Sequence, residues 1–161
     1  KLPMHTPEQR AAYLDTIRNF PGAFADLVNG LTDEQLTARA LDGEWTIAQN
    51  IHHVADSHIN SYVRLKLILT EERPPLKGYD QEAWAKLVDG DTPNIEVSLN
   101  LLRSLHTRWV AIFESLTEEQ WQRVGIHSEI GELTPDDLVK IYADHCDAHI
   151  DQVTRTLAAQ G

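Results

Sequence analysis

Apolar side chains recur every three or four residues along most of the chain, which is the spacing of an amphipathic α-helix. This pattern predicts four long helices, near residues 7–29, 46–70, 93–115 and 135–158. Only residues 124–130 have β character, and we regard this segment as too short and isolated to support a sheet. We therefore predict an all-α fold, a four-helix bundle formed as a single domain by residues 1–161.

Capping signals support these helix starts, because a Thr hydroxyl accepts hydrogen bonds from free N–H groups and Pro suits the first helical position. Three Thr-Pro pairs precede predicted long helices: Thr6-Pro7, Thr92-Pro93 and Thr134-Pro135. Thr46 and Gln49 form a capping box at the start of the remaining long helix. Pro21, followed by Gly22, is predicted to break or kink the first helix.

Two short segments of nearly the same sequence follow the first and third long helices. They are LTDEQL at 31–36 and LTEEQW at 116–121, and each is predicted to form a short capped helix. The order of long, short and long helix therefore occurs twice. We hypothesise that the two halves of the chain are related by approximate internal symmetry.

The connection at 71–91 is long for a helical bundle and rich in Pro and Gly. Its length favours a crossover between the second and third long helices over a tight turn, with one short helix at 80–87. Its aromatic residues Tyr79 and Trp84 are interpreted as fixing the crossover against the bundle. The alternative, that they line a site, stays open.

Two histidines, His145 and His149, lie four residues apart in the last predicted helix. At this spacing both imidazoles face the same side of the helix, within the apolar stripe of Leu138 and Tyr142. The pair is either a set of metal ligands or two hydrogen-bonded core histidines. It is not the H-E-x-x-H motif, since Cys146 occupies the place of the Glu. A metal site therefore needs a third ligand from elsewhere in the chain.

The second long helix has an apolar stripe and a separate polar stripe. The apolar stripe consists of Ile47, Ile51, Val54, His58, Tyr62, Leu65 and Leu69. The polar stripe consists of Asn50, His53, Ser57, Asn60 and Arg64. Periodicity allows two interpretations of the polar stripe, a solvent-exposed surface or one wall of a wet cleft inside the bundle. In the second case His53 faces the histidine pair of the last helix.

Composition limits the possible partners. The 161 residues carry 14 Lys and Arg against 25 Asp and Glu, and the formal charge of −11 argues against nucleic acid or an anionic membrane as a partner. The apolar content of 42% suits a globular core. One cysteine excludes an internal disulfide framework and fits a reducing compartment. No apolar run approaches the ~20 residues of a membrane span and the start of the chain lacks a signal-peptide core, so we expect a cytoplasmic protein with a small-molecule substrate.

Two segments of the chain resemble the YfiT-like branch of the DinB superfamily. They are GEWTIAQNIHHVADSHINSYVRLKLILTEERPPLKGYDQEAWAKL at 43–87 and SLNLLRSLHTRW at 98–109. The similarity covers roughly residues 25–155, and the block W-T-x6-H-H-x-A-D-S-H is a specific signature. The resemblance implies a four-helix bundle that holds a divalent metal through three histidines. It is also the basis for expecting a homodimer.

The resemblance implies which histidines bind the metal. The implied ligands are His53, His145 and His149. His53 lies eight residues after Trp45, which is the family's spacing for the ligand of the second helix. His52 is then the neighbour of a ligand, while His58 either supports the site or is a buried, hydrogen-bonded histidine. The family's H-P-E block appears here as His127-Ser128-Glu129, a departure that leaves the substrate open.

Three imidazoles with open coordination positions make a Lewis-acid site that activates a water or a low-molecular-weight thiol. Similar proteins are described as metal-dependent hydrolases or as thiol S-transferases that use bacillithiol or mycothiol. Imidazole accepts several metals, and we expect nickel or zinc ahead of iron or manganese. Because no Glu stands beside a ligand as a base for hydrolysis, the sequence favours transfer with a thiol cosubstrate.

Four further residues are candidates for catalysis or binding. Asp56, one turn from His53, and Glu129 are the candidate bases. Asn60 and Arg64 are the candidate substrate-binding residues, and Arg64 suits either a carboxylate of the thiol or a surface salt bridge. Two other classes of protein stay open: a non-catalytic metal-binding or stress-response bundle, and a plain bundle whose histidines bind no metal.

Overall fold

Four long helices form a bundle in the computed structural model, which describes residues 4–161. Within that range the helices are α1 (Pro7–Val28), α2 (Asp33–Thr37), α3 (Ile47–Thr70), α4 (Gln81–Ala85), α5 (Glu96–Glu114), α6 (Glu118–Trp121) and α7 (Pro135–Ala159). The predicted four-helix bundle is confirmed, and the short helices α2, α4 and α6 lie in the predicted segments. Residues 1–3, where the predicted domain begins, lie outside the described part of the chain. None of the helices in the described part is both long and apolar enough to cross a membrane.

The capping residues explain where most helices begin. Each cap is a Thr whose hydroxyl accepts from the backbone N–H three residues later, while the side chain of that later residue accepts from the N–H of the Thr. Such boxes occur at Thr6, Thr32, Thr46, Thr117 and Thr134. The prediction that Thr92 opens a helix is wrong, because α5 begins at Glu96. The carbonyl of Thr92 instead accepts from His52 Nε2 at 2.8 Å, which ties this loop to α3.

Helix α1 runs through Pro21 without interruption, so the predicted break at this residue does not occur. Pro has no N–H, and the carbonyl of Ile17, four residues earlier, therefore loses its helical hydrogen bond. That carbonyl accepts instead from His106 Nδ1 of α5 at 2.7 Å. The side chain of α5 thus replaces the hydrogen bond that Pro21 removes, and the helix stays intact.

A small sheet lies beside the bundle, which corrects our prediction that no sheet forms. Strand β2 (Gly125–His127) pairs in parallel with β1 (Pro75–Leu76) and antiparallel with β3 (Gly131–Leu133). Strand β1 belongs to the crossover between α3 and α5, so the partner of β2 is distant in sequence. Gly125 permits this close approach, since a Cβ there would lie 2.6 Å from Leu76 Cδ1.

Helix α1 lies diagonally opposite α3 in the bundle, and α5 lies diagonally opposite α7. Helix α1 packs between α5 and α7, and α3 packs between the same two helices. The core is formed by side chains from all four, the largest fully buried ones including Trp109, Phe24, Phe113, Ile17, Leu65 and Leu102. This arrangement makes α3 and α7 direct neighbours. It therefore brings the polar stripe of α3 next to the histidine pair of α7.

We predict that Thr46→Ala lowers the free energy of unfolding by about 1–2 kcal/mol. Thr46 is buried, and its hydroxyl accepts from the N–H of Gln49 at 3.1 Å, so the substitution leaves a buried donor without a partner. Urea unfolding followed by circular dichroism measures the change. The control is Thr46→Ser, which keeps the hydroxyl, and equal stability of the two variants would contradict the prediction.

Candidate metal centre

Three histidines from two neighbouring helices converge in the structure. They are His53 of α3 and His145 and His149 of α7. Each offers a ring nitrogen, and these nitrogens all lie within 4.8 Å of one another. The ring centroid of His53 lies 5.5 Å from that of His145 and 5.0 Å from that of His149. The structure thus brings together the three residues that the family resemblance implied as ligands.

The polar stripe of α3 faces the interior of the bundle. Asn50, His53, Ser57 and Arg64 are buried, and Asn60 is half-buried. The interpretation as a solvent-exposed surface is therefore wrong. The stripe forms one wall of an internal polar region, and α7 forms the opposite wall.

Asn50 fixes the tautomer of His149. The amide nitrogen of Asn50 donates to the carbonyl of Thr46 at 3.0 Å, so its amide oxygen points to His149 Nδ1, which lies 3.0 Å away. An amide oxygen only accepts, and Nδ1 of His149 therefore carries the proton. In the neutral ring Nε2 is then free of a proton and available to a metal.

Burial keeps the three imidazoles uncharged. Desolvation lowers the pKa of His53 to about 3, with a further contribution from neighbouring His149, and it lowers the pKa of His149 to about 4. Desolvation, followed by the proximity of the other two rings, lowers the pKa of His145 well below its ordinary value. A metal binds the neutral form of imidazole, so the donor set fits a divalent cation at neutral pH.

A cleft of about 390 Å³ opens beside the three rings. Its other lining residues include Glu44, Trp45, Gln81, Glu82 and Gln152. The ring of Trp45 lies 4.6 Å from that of His53, and its Nε1 donates to Glu82 Oε2 at 3.2 Å. Glu44 lies 3.6 Å from Arg155 Nη1. The cleft therefore contains two carboxylates, and no Lys or Arg is among its lining residues in the described part of the chain.

Neither glutamate could be recognised as a site residue from the sequence. Glu44 and Glu82 are not neighbours of a ligand on the same helix face, and Glu82 belongs to α4 in the crossover. Only the folded crossover brings α4 against α3. Two Glu carboxylates therefore line the cleft, although no Glu stands beside a ligand in the sequence.

The two candidate bases from the sequence lie outside the residues that line this cleft. Asp56 is half-buried, and burial, together with the nearby carboxylate of Asp89, raises its pKa to about 6. Glu129 is exposed between β2 and β3, and its backbone N–H donates to His127 Nδ1 at 3.1 Å. Their role as bases therefore stays a prediction, and neither residue borders this cleft.

The two candidate substrate-binding residues are likewise outside the cleft lining. The amide nitrogen of Asn60 donates to the carbonyl of Asp56 in its own helix at 2.8 Å. The guanidinium of Arg64 is buried and donates to the carbonyl of Lys77 at 2.6 Å. Arg64 therefore fastens the crossover to α3, a role that the sequence pattern did not predict.

Comparison with known proteins connects this site to a family. Residues 16–153 match the model of the DinB superfamily. A Bacillus subtilis protein, YfiT, is 38% identical over 155 residues, covering 96% of this chain and 87% of its own. An Oceanobacillus iheyensis protein is 39% identical over 142 residues, covering 88% of this chain and 82% of its own. Both carry the name "putative metal-dependent hydrolase".

A solved structure of the Bacillus subtilis protein YfiT superposes on this chain with a TM-score of 0.95 at 36% identity. The match covers 100% of this chain and 93% of that one. That protein is described as "a probable metal-dependent hydrolase with an unusual four-helix bundle topology".

We predict that the metal-free protein loses stability as the pH falls below about 6.5. The pKa values of the buried histidines His53 and His149 are lower in the folded state than the ordinary 6.5, so the unfolded chain binds more protons below that pH. Each such histidine lowers the free energy of unfolding by up to about 1.4 kcal/mol for each unit by which the pH falls. The loss continues until the pH reaches the folded pKa, about 4 for His149 and about 3 for His53.

Asp56 acts in the opposite direction, since its pKa rises from 3.8 to about 6 on folding, but it is one group against several histidines. Urea unfolding in the presence of a chelator at about pH 7 and about pH 4.5 measures the net effect. Equal unfolding free energies at the two pH values would contradict the prediction.

Proposed function

The chain belongs to the DinB superfamily, and from this membership we propose that it is a divalent-metal-dependent enzyme acting on a small molecule at His53, His145 and His149. The observation that carries the proposal is the convergence of three uncharged imidazoles, with ring nitrogens within 4.8 Å of one another, beside an open cleft. The names of the relatives, as metal-dependent hydrolases, support the same activity.

The donor set suits zinc or nickel, because imidazole is a preferred ligand of both. Iron and manganese are the next candidates. A divalent ion held by the three histidines would supply Lewis-acid activation of a water or a thiol. The homodimer and the cytoplasmic location stay predictions.

Hydrolysis is the reaction that the cleft favours, since Glu82 offers a carboxylate beside the histidines. Its Oε2 is occupied by the N–H of Trp45, which orients the carboxylate and leaves Oε1 to accept the proton of an attacking water. Trp45 in turn packs against His53, so the base and one ligand are held by the same side chain. Glu82 is therefore our candidate general base.

Thiol S-transfer, the other expected reaction, receives less support from the charges of the cleft. A thiol that carries a carboxylate would bring it towards Glu44 and Glu82. Arg64, the residue expected to bind such a carboxylate, is engaged with the backbone of the crossover. We therefore rank hydrolysis ahead of transfer, and both ahead of a non-catalytic metal-binding bundle.

We predict that the purified protein contains about one divalent ion per chain and that His53→Ala and His149→Ala lose it, because two imidazoles bind far more weakly than three. Elemental analysis after dialysis measures the metal content. The matched control is His52→Ala, which removes a buried histidine next to His53 that binds Ser98 and Thr92 instead. If the folded wild-type protein takes up no metal, the proposed metal site is wrong and the chain is a plain bundle whose histidines bind no metal.

We predict that Glu82→Gln lowers metal-dependent ester or amide hydrolysis by about 10²–10⁴-fold without loss of metal, since it removes the proton acceptor and keeps the shape. A panel of chromogenic esters and amides provides the assay, and Glu96→Gln, on an exposed part of α5, is the control. Consumption of a chloronitrobenzene that requires added thiol would instead identify a transferase. A metal-loaded protein inactive in both assays would favour the non-catalytic alternative.

A further inference from the structure

Two buried histidines and one half-buried histidine form a continuous hydrogen-bonded row that ends at one of the proposed metal ligands. His106 Nε2 lies 2.7 Å from His58 Nδ1, and His58 Nε2 lies 3.1 Å from His145 Nδ1. We call His106, His58 and His145 the histidine relay. It crosses the bundle from α5 through α3 to α7. Both ring nitrogens of His58 take part in the relay, although His58 is not one of the three proposed ligands.

The far end of the relay is fixed by the backbone of α1. His106 Nδ1 lies 2.7 Å from the carbonyl oxygen of Ile17, which is free because Pro21 has no N–H. A carbonyl oxygen only accepts, so Nδ1 of His106 must carry a proton. The proline within α1 thereby sets the direction of the first hydrogen bond in the relay.

The number of N–H protons on the three rings fixes the direction of the other hydrogen bonds in the relay. His58 and His106 are buried, and among residues 4–161 no carboxylate hydrogen-bonds to a relay ring. A ring that is buried without a carboxylate partner stays neutral, because its charged form would be unpaired away from water. Three neutral rings carry three N–H protons, and the three hydrogen bonds use all of them. Nε2 of His145 is therefore left without a proton.

We propose that His106 and His58 are positioning residues, which fix the tautomer and ring orientation of His145 so that its Nε2 faces the metal. The proposal rests on the proposed metal site. It gives the two ligands of α7 different supports, since the amide of Asn50 orients His149 and the relay orients His145. Partners that hold the second nitrogen of a ligand imidazole usually strengthen metal binding.

The surroundings of His58 exclude other partners for its ring. Phe20, Trp109 and Tyr142 pack around it, with ring centroids 5.7, 5.2 and 5.5 Å away. Its exposed fraction is 0%. Water therefore has no access to this ring, and the hydrogen bonds to His106 and His145 have no competitor.

The test compares His58→Phe with His58→Gln. Phe has no hydrogen-bonding group, whereas the amide of Gln both donates towards His106 and accepts from His145, as His58 does in the relay. We expect His58→Phe to weaken zinc binding by about 10–100-fold, measured by competition with a chromogenic chelator, and His58→Gln to restore most of the affinity. His52→Phe is the control, because it removes two hydrogen bonds of a buried histidine of the same helix without touching a ligand.

A second readout does not depend on the metal. Long-range ¹H–¹⁵N correlation spectra of the metal-free protein report the tautomer of each histidine, and we expect His145 to carry its proton on Nδ1. A proton on Nε2 of His145 would overturn the proposal even if no His58 variant folds. It would also be overturned by a folded His58→Phe variant with wild-type zinc affinity. If the wild-type protein binds no metal, the proposed function fails, whereas the spectrum still decides on the tautomer.

Discussion

An imidazole buried away from water has to satisfy its N–H group and stay uncharged, and this requirement organises the interior of the bundle. The buried histidines of residues 4–161 are His52, His53, His58, His106, His127 and His149. His52 binds the loop before α5, His106 binds the backbone of α1, and His149 binds Asn50 of α3. Because each partner belongs to a different element, these hydrogen bonds fix the relative positions of all four long helices, and the bond to Asn50 also fixes the tautomer of His149.

The helices and their caps could be predicted because they depend on local features, the periodicity of apolar residues and the Thr at each start. The α7 pair could also be recognised from spacing alone. His53 could not, since a polar stripe on a helix is compatible with either exposure or an internal cleft, and the family resemblance was needed to choose it. The sheet, the helix start at Glu96 and the position of Glu82 escaped prediction because each depends on contacts of the crossover with distant residues.

The charges around the site combine a neutral inner set with an acidic outer one. Three uncharged imidazoles would leave a divalent ion its full charge, which strengthens its effect on a bound water or thiol. The carboxylates of Glu44 and Glu82 lie in the cleft wall. There they would offset the charge of the ion at a distance, without being its ligands. Substrates with neutral or cationic groups are compatible with this wall, since its described residues include no cationic side chain.

The placement of α1 diagonally opposite α3, and of α5 opposite α7, affects how the chain reaches its native state. Helices α1 and α3 are joined in sequence but both pack mainly against α5 and α7, so neither half of the polypeptide can bury its apolar faces alone. Assembly therefore requires the N-terminal and C-terminal halves to interleave, with long loops closing before most of the core forms. Half-length fragments should stay largely unstructured when separate and acquire helical order on mixing.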